Sequence, residues 1–300
     1  AQIGFIPANV LDAIKARNDN AETTVFVHDG RWSRIGLHAR LNTFEKRSKA
    51  LADVVGAWHE EGLFSSALDG WRDEMYGIYS SPSYPYRTWE NKETVPNERA
   101  FELERAACAL FGLATFGVHM TAYVDGSSAS KSGNAGSTEG LRLWTPRRSP
   151  TKATWPSYLD NSVAGGITSG DSPYESMVRE CWEEAGLPAD LVRQHLRQTG
   201  VITYVYRTPE GYLQPEVEYT YDLPLPADVR LRPEDGEAED FRLMEVDEVL
   251  QRMGKGEFKP NCALVVIDFL VRHGIVTVQE EPRYMEVVAL LHNDLALPGP

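Results

Sequence analysis

The sequence predicts an α/β protein: a sandwich of strands and helices from about residue 113 onward, preceded by an additional N-terminal α+β domain. Three observations carry this. The chain has 300 residues, which suggests about two domains. From Thr115 on, β-type runs alternate with helical patterns, as layered α/β folds do. Before that point the elements are shorter and mix aromatic with charged residues. Residues 1–112 are therefore expected to form the N-terminal domain, 113–280 the sandwich, and 281–300 a C-terminal helix and tail.

The elements follow in order. AQIGFIPANVLDAIKARND reads as a strand or loop and then a short helix. Thr24 to His28 is strand-like, and Asp29-Gly30 ends it in a turn. Thr43 suits the cap of a helix from Phe44 to about Glu61, whose apolar stripe is Leu51, Val54, Val55 and Trp58. The stretch Gly70 to Tyr79 mixes aromatic and charged residues. Ser81 to Pro96 reads as a connection, and Glu98 to Phe111 as a helix with Phe101, Ala106 and Leu110 on its apolar side. Thr115–Val124 and Leu141–Trp144 are strands flanking a Gly/Ser-rich loop, DGSSASKSGNAGSTEG. Val201–Tyr206 and Glu216–Leu223 are strands about a Thr-Pro-Glu-Gly turn, and Phe241–Met244 is another. Val246–Met253, Cys262–Arg272 and Tyr284–Leu295 have helical spacing; the last is expected on the N-terminal domain or a second subunit, or finishing the core.

The most informative segment is GGITSGDSPYESMVRECWEEAGL, from Gly165. Ser172 caps a helix, Pro173 suits its first position, Glu175 completes a capping box, and Gly186 with Pro188 stops it. At about 100° per residue, Arg179, Glu180, Glu183 and Glu184 share one face. Met177, Val178, Cys181, Trp182 and Ala185 take the core face. Three glutamates in the last two turns oppose the helix dipole, at about 0.3–1 kcal/mol each, with Arg179 four residues from Glu183 to compensate. A solvated acidic face is the plainer reading of such a run taken alone. A divalent cation shared with substrate phosphates would remove the repulsion, since Mg²⁺ takes oxygen ligands.

The segment resembles the Nudix box, G-x5-E-x7-R-E-U-x-E-E-x-G-U, with U apolar. Gly165, Arg179, Glu180, Glu183, Glu184, Gly186 and Leu187 stand on register, and Cys181 takes the first apolar position. Asp171 replaces the pattern's first Glu, keeping the charge with a shorter reach. The resemblance implies an α/β/α sandwich and Mg²⁺-dependent hydrolysis, with Mn²⁺ as a substitute. It makes Glu180, Glu183, Glu184 and Gly165 the metal candidates, with Arg179 orienting Glu183. Nudix enzymes often recruit a further carboxylate outside the box. Glu239, from the loop DGEAEDF that also holds Glu237 and Asp240, and Glu218, beside Glu216 on a strand, are the candidates here.

The segments FGLATFGVHMTAYV, LWTPRRSPTKATWPSYLDNSVAGGITSG and FKPNCALVVIDFLVRHG are similar to one Nudix subgroup of fungi, plants and bacteria, fused in some fungi to thiamine pyrophosphokinase. GLHARLNTFEKRSKAL and DGWRDEMYGIY resemble the extra domain preceding Nudix in that subgroup. The implied activity is hydrolysis of thiamine diphosphate, notably its oxidised analogues, to the monophosphate. A nucleoside-diphosphate-X pyrophosphatase and a non-catalytic metabolite-binding module are the alternatives. Isomerisation, known for a distant relative, ranks low because no cysteine stands in the active-site context it requires.

Arg147, Arg148 and Lys152 precede the box and suit phosphate oxygens. Trp71 and Tyr76 suit an aromatic, cationic ligand; stacking by Trp155 is a further option, and Trp58 reads as core. His119 and His28 read as structural. A net charge of −14 argues against nucleic-acid or anionic-membrane partners. Cys108, Cys181 and Cys262 read as reduced core residues of a cytoplasmic protein. The start of the sequence lacks signal-peptide character, and no apolar run reaches membrane-spanning length. The expected partner is a small organic diphosphate, bound by a monomer or homodimer.

Overall fold

The structure is a computed structural model and describes residues 2–18, 24–30, 33–80, 99–126 and 140–299. The connection expected at 81–96 lies outside the described residues, as does most of the Gly/Ser-rich loop.

The N-terminal part begins with helix α1 (Ala8–Arg17) and an antiparallel pair, β1 (Phe26–Asp29) and β2 (Arg34–Leu37). Helix α2 (Phe44–Glu60) starts where the Thr43 hydroxyl accepts the Lys46 N–H, a cap that satisfies an otherwise orphaned donor. Its stripe of Leu51, Val54, Val55 and Trp58 is buried, and Trp58 stacks on Phe111 at 5.9 Å. A short helix α3 (Ser65–Leu68) leads to β3 (Met75–Tyr79), which pairs antiparallel with β4 (Arg99–Glu104). A 3₁₀ turn over Arg105–Phe111 follows. The helix expected over Glu98–Phe111 is thus a strand and a 3₁₀ turn. Phe101 and Leu103 are buried on either side of the half-buried Glu102, an alternation of period two that overlaps helical spacing in so short a segment.

The second part comprises β5 (Thr115–Asp125), β6 (Leu141–Arg148), β7 (Val163–Gly166), α4 (Pro173–Ala185), α5 (Ala189–His195), β8 (Arg197–Arg207), β9 (Leu213–Pro224), β10 (Ala238–Glu245), α6 (Val246–Gly254), α7 (Pro260–Arg272) and α8 (Tyr284–Leu291). Its sheet runs β10-β6-β5-β9-β8, with β7 also paired to β5. The β5–β9 pair is parallel and the others antiparallel. Alternate residues of β5 serve opposite layers. Val118 and Met120 pack with Met177 and Cys181 of α4, while Tyr123 packs with Phe269 of α7. This is an α/β/α sandwich. Residues Val287 and Leu291 of α8 join Ile202 and Val265, so among the described residues α8 packs on β8 and α7 and finishes the sandwich core.

Helix α4 has the expected ends. Ser172 accepts the Glu175 N–H and Gly186 takes the left-handed conformation at φ 64°. Trp182 departs from its expected core position and is 60% exposed, because Ser176, Met177, Val178, Cys181 and Ala185 already make the buried face. All three cysteines are buried and free. Among the described residues no helix is long and apolar enough to cross a membrane.

The two parts meet beside the box. The Ser169 N–H donates to the Met75 carbonyl at 2.8 Å, Tyr76 bridges to Thr168, and Arg99 Nη1 donates to Ser169 Oγ at 2.7 Å. Strand β3 therefore lies against the loop that leads into α4.

Candidate active site

A cleft of about 330 Å³ opens where these parts meet, lined by α4, β5, β7, β9, the 232–237 loop, and residues of the N-terminal part. Its shape depends on three glycines. Gly117 and Gly166 are register partners and face one side of the sheet. A Cβ at Gly117 would overlap the Glu218 carboxylate, and one at Gly166 would overlap the Tyr76 hydroxyl. Gly165 faces the other side, where a Cβ would overlap the Glu180 carboxyl. Space, not backbone conformation, requires glycine here.

Glu180, Glu183 and Glu184 all line the cleft. Glu184 reaches deepest and accepts the Ala164 N–H at 3.0 Å. Burial raises its pKa well above the usual carboxylate range, against the lowering by that N–H, and the like charges of Asp160, Glu180 and Glu237 push the same way. Glu180 is also raised, chiefly by burial. Arg179 donates to Asp171 at 2.7 Å and Glu180 at 3.2 Å, and stands 3.8 Å from Glu183. Asp171 is thus an ion-pair partner of Arg179. Arg179 holds Asp171 and Glu180 more closely than Glu183, its expected partner.

One metal-ligating group is assembled among the described residues: Glu184, Asp235 and Glu237 place oxygens within 4.8 Å of one another. An all-oxygen set with carboxylates suits Mg²⁺ or Mn²⁺, and a divalent cation would offset the burial and the like charges, that of Glu237 among them, that raise Glu184. Glu180 and Glu183 line the same cleft outside that group, and Gly165 passes beneath Glu180. Glu239 does not line the cleft. It lies at a register shift between Ala238 and Asp240, where β10 meets β6, and it is exposed. A bulge of this kind breaks the alternation of a strand, so Glu237 faces the cleft and Glu239 does not. Asp235 and Glu237 were within reach of sequence reasoning through the acidic loop; the bulge was not.

The basic residues before the box are largely committed to protein partners. Arg148 donates to Asp160 at 2.6 Å, to the Trp155 carbonyl at 3.0 Å and to the Thr154 carbonyl at 2.9 Å. Burial would raise Asp160, but Lys259 and Arg148 outweigh it and hold the carboxyl at about 2. Lys152 pairs with Glu237 at 2.5 Å. Arg147 donates to the Ser157 carbonyl at 2.7 Å and lies outside the cleft lining, while Arg148 and Lys152 are in it.

The facing wall comes from the N-terminal part and β9. Tyr76 is buried, with its hydroxyl against Gly166 and Arg105 over its ring at 5.5 Å. Arg105 donates to Glu74 at 2.9 Å. The buried Glu104 carboxylate accepts the N–H groups of Arg72, Glu74 and Ala106, fixing the loop that presents Arg72 and Glu74 to the cleft. Trp71 is turned away. It stacks on His59 at 4.8 Å and donates to Asp73, which leaves it outside the cleft lining. Trp155 also lies outside it and meets Tyr158 edge-on.

On β9, Glu216 and Glu218 share a face. Tyr204 bonds both, and Gln214 donates to Glu216 at 2.7 Å. His119 Nδ1 meets the Asn161 Oδ1 at 2.7 Å, while Asn161 Nδ2 is used by the Cys262 carbonyl. Nδ1 therefore carries a proton, and Nε2 stands 3.5 Å from Glu218. Burial opposes charge on His119, but Glu218 outweighs it and the pKa is raised. Glu218 is correspondingly held low, and burial beside it pushes Glu216 up.

The comparisons with known proteins agree with this geometry. The NUDIX domain matches residues 136–262, and a domain of unknown function, DUF4743, matches residues 1–115. The chain is 34% identical over 276 residues to the uncharacterized protein YJR142W of Saccharomyces cerevisiae, covering 89% of this chain and 73% of that one. It is 31% identical over 293 residues to Nudix hydrolase 24, chloroplastic, of Arabidopsis thaliana, covering 97% and 70%. With Nudix hydrolase 20, chloroplastic, of the same plant, it shares 33% identity, covering 86% of this chain and 61% of the relative. The chain belongs to the Nudix hydrolase family, carrying its acidic cluster on an α/β/α sandwich preceded by an additional α+β domain.

Proposed function

We propose that this protein hydrolyses a small organic diphosphate to its monophosphate and phosphate, with Mg²⁺, and that thiamine diphosphate or its oxidised analogues are the substrates. The observation that carries the hydrolase reading is the convergence of Glu184, Asp235 and Glu237 in a cleft also lined by Glu180 and Glu183. Mg²⁺ held by Glu184, Asp235 and Glu237 would supply charge neutralisation for the diphosphate oxygens and a lowered pKa for an attacking water. Retention of Glu180, Glu183 and Glu184 together favours this reading over a non-catalytic binding module.

The substrate reading rests on the subgroup resemblance and is supported by the wall. Glu74 and Glu216 bring carboxyl groups to the cleft, and such groups suit a cationic, amine-bearing heterocycle. The N-terminal domain (residues 1–112) then selects the organic group through Tyr76, Glu74 and Arg105. The sandwich (113–280) takes the diphosphate, and 281–300 closes the fold. The protein acts in the cytoplasm as a monomer or homodimer, without nucleic-acid or membrane partners.

The test is phosphate release from thiamine diphosphate, its oxidised analogues, ADP-ribose-type dinucleotides and nucleotide sugars, with Mg²⁺ and with EDTA. Thiamine-type diphosphates should rank first. A higher rate on nucleoside-diphosphate compounds would assign the protein to the pyrophosphatases, and no release from any would assign it to the binding modules.

A further inference from the structure

Lys259 is at odds with its surroundings in three ways. It occupies the N-cap position of α7, whose first turn has no side-chain cap. A helix N-terminus carries partial positive charge and disfavours a cation. The side chain is largely buried yet lines the cleft, and among the described residues its ammonium has neither a hydrogen bond nor an ion pair. Buried charges in proteins are ordinarily paired.

The nearby carboxylates do not supply the missing partner. Asp160 is taken by Arg148 at 2.6 Å, and Glu218 by His119 and Tyr204. Burial opposes a charge on Lys259, but its interactions with Cys262, Asp160 and Glu218 outweigh that and raise its pKa. The backbone adds to the excess of positive charge. Pro260 has no N–H, and the Ala263 N–H is bound to the Lys259 carbonyl. The N–H groups of Asn261 and Cys262 have no intrahelical acceptor, as in any first turn, and Asn261 lines the cleft with Lys259. An ammonium and a helix N-terminus converging on one cavity make an anion site.

We propose that Lys259 and the first turn of α7 form a phosphate-binding subsite, which takes a phosphoryl group of the diphosphate by direct charge-assisted hydrogen bonds, without a bridging cation. Neither Lys259 nor Asn261 is a site candidate from the sequence, where attention falls on the basic residues before the box. Arg148 and Lys152 of that segment are held by protein partners, whereas Lys259, like Arg72 on the facing wall, lines the cleft with its charge unpaired among the described residues. The identity of the anion rests on the hydrolase reading; the existence of the subsite does not.

The experiment is calorimetric binding of methylenediphosphonate, a diphosphate that cannot be hydrolysed, to the full chain in EDTA. Lys259→Gln should weaken binding by about tenfold or more, with Lys259→Arg recovering most of it. Asn261→Asp, which sets a carboxylate at the helix N-terminus, should weaken it as well. Lys259→Gln also withdraws the field that helps hold Asp160 ionised, so affinities are compared at a temperature where circular dichroism shows every protein folded. Equal affinity of the parent and Lys259→Gln overturns the proposal, and so does a parent that binds no probe. If Lys259-dependent binding is found but no diphosphate is hydrolysed, the subsite stands and the hydrolase reading falls. If hydrolysis is found and Lys259→Gln binds as the parent does, the reverse holds.

Discussion

Replacing Arg148 with alanine should damage the fold before it damages phosphate binding. Arg148 and Asp160 form a pair in which each side chain is only 11% exposed. Removing one member of a buried pair costs about 3–5 kcal/mol, because the other charge is stranded. Lys259 also stabilises the Asp160 carboxylate, which places the expected loss near the lower end, about 3 kcal/mol. At roughly 2–4 °C per kcal/mol for a protein of this size, the melting temperature should fall by on the order of 10 °C. Arg148→Lys should recover only part of this, since one ammonium cannot serve Asp160 and the carbonyls of Thr154 and Trp155 together. The assay is urea and thermal unfolding by circular dichroism, with diphosphate and monophosphate affinities measured on the same samples. An Arg148→Ala protein that melts with the parent but loses diphosphate binding selectively would refute this reasoning and return Arg148 to the phosphate role its sequence position suggests.

Other outcomes follow from the same geometry. Gly165→Ala should push the Glu180 carboxyl aside; overpacking of this kind costs about 1–3 kcal/mol, and kcat should drop about tenfold or more through misplacement of the carboxylate, read by steady-state kinetics beside a melt. Asp160 has a carboxyl held at about 2, below its ordinary value, so it stabilises the fold above the usual carboxylate range and that contribution is lost as pH falls through about 2. Unfolding free energies of the parent and Asp160→Asn, from urea titrations, should therefore converge by about 2 kcal/mol between neutral pH and about pH 2. Arg105→Met should raise KM for organic diphosphates about tenfold or more, with a smaller change in kcat, if the N-terminal wall reads the organic group; unchanged KM across the substrate panel would remove it from that role.

How far the sequence could be read depended on the range of the signals. Helix α4 was legible to its ends because Ser172, Pro173 and Gly186 act locally, and the box carboxylates lie on one short segment. Trp182 was misplaced because a wheel assigns faces without knowing how wide the buried one is. The β3–β4 pair was hidden because a six-residue strand with Phe101 and Leu103 fits either period. Glu237 and Glu239 differ only through a bulge set by pairing with β6, a contact about ninety residues away in sequence. Trp71 was chosen for its chemistry, and its direction is fixed by His59. Lys259 is informative only through what is absent around it, and a sequence does not show which neighbours are already taken.

The central claim is that the carboxylate cluster of this cleft hydrolyses an organic diphosphate. Phosphate released from thiamine diphosphate and its oxidised analogues under saturating Mg²⁺, by the parent and by Glu184→Gln at matched fold, tests it most directly. The account predicts release by the parent that stops in EDTA, and a fall of about 100-fold or more in Glu184→Gln, in line with removal of a group that holds a catalytic metal. A Glu184→Gln protein that works at the parent rate, or a folded, Mg²⁺-loaded parent that releases no phosphate, would contradict it.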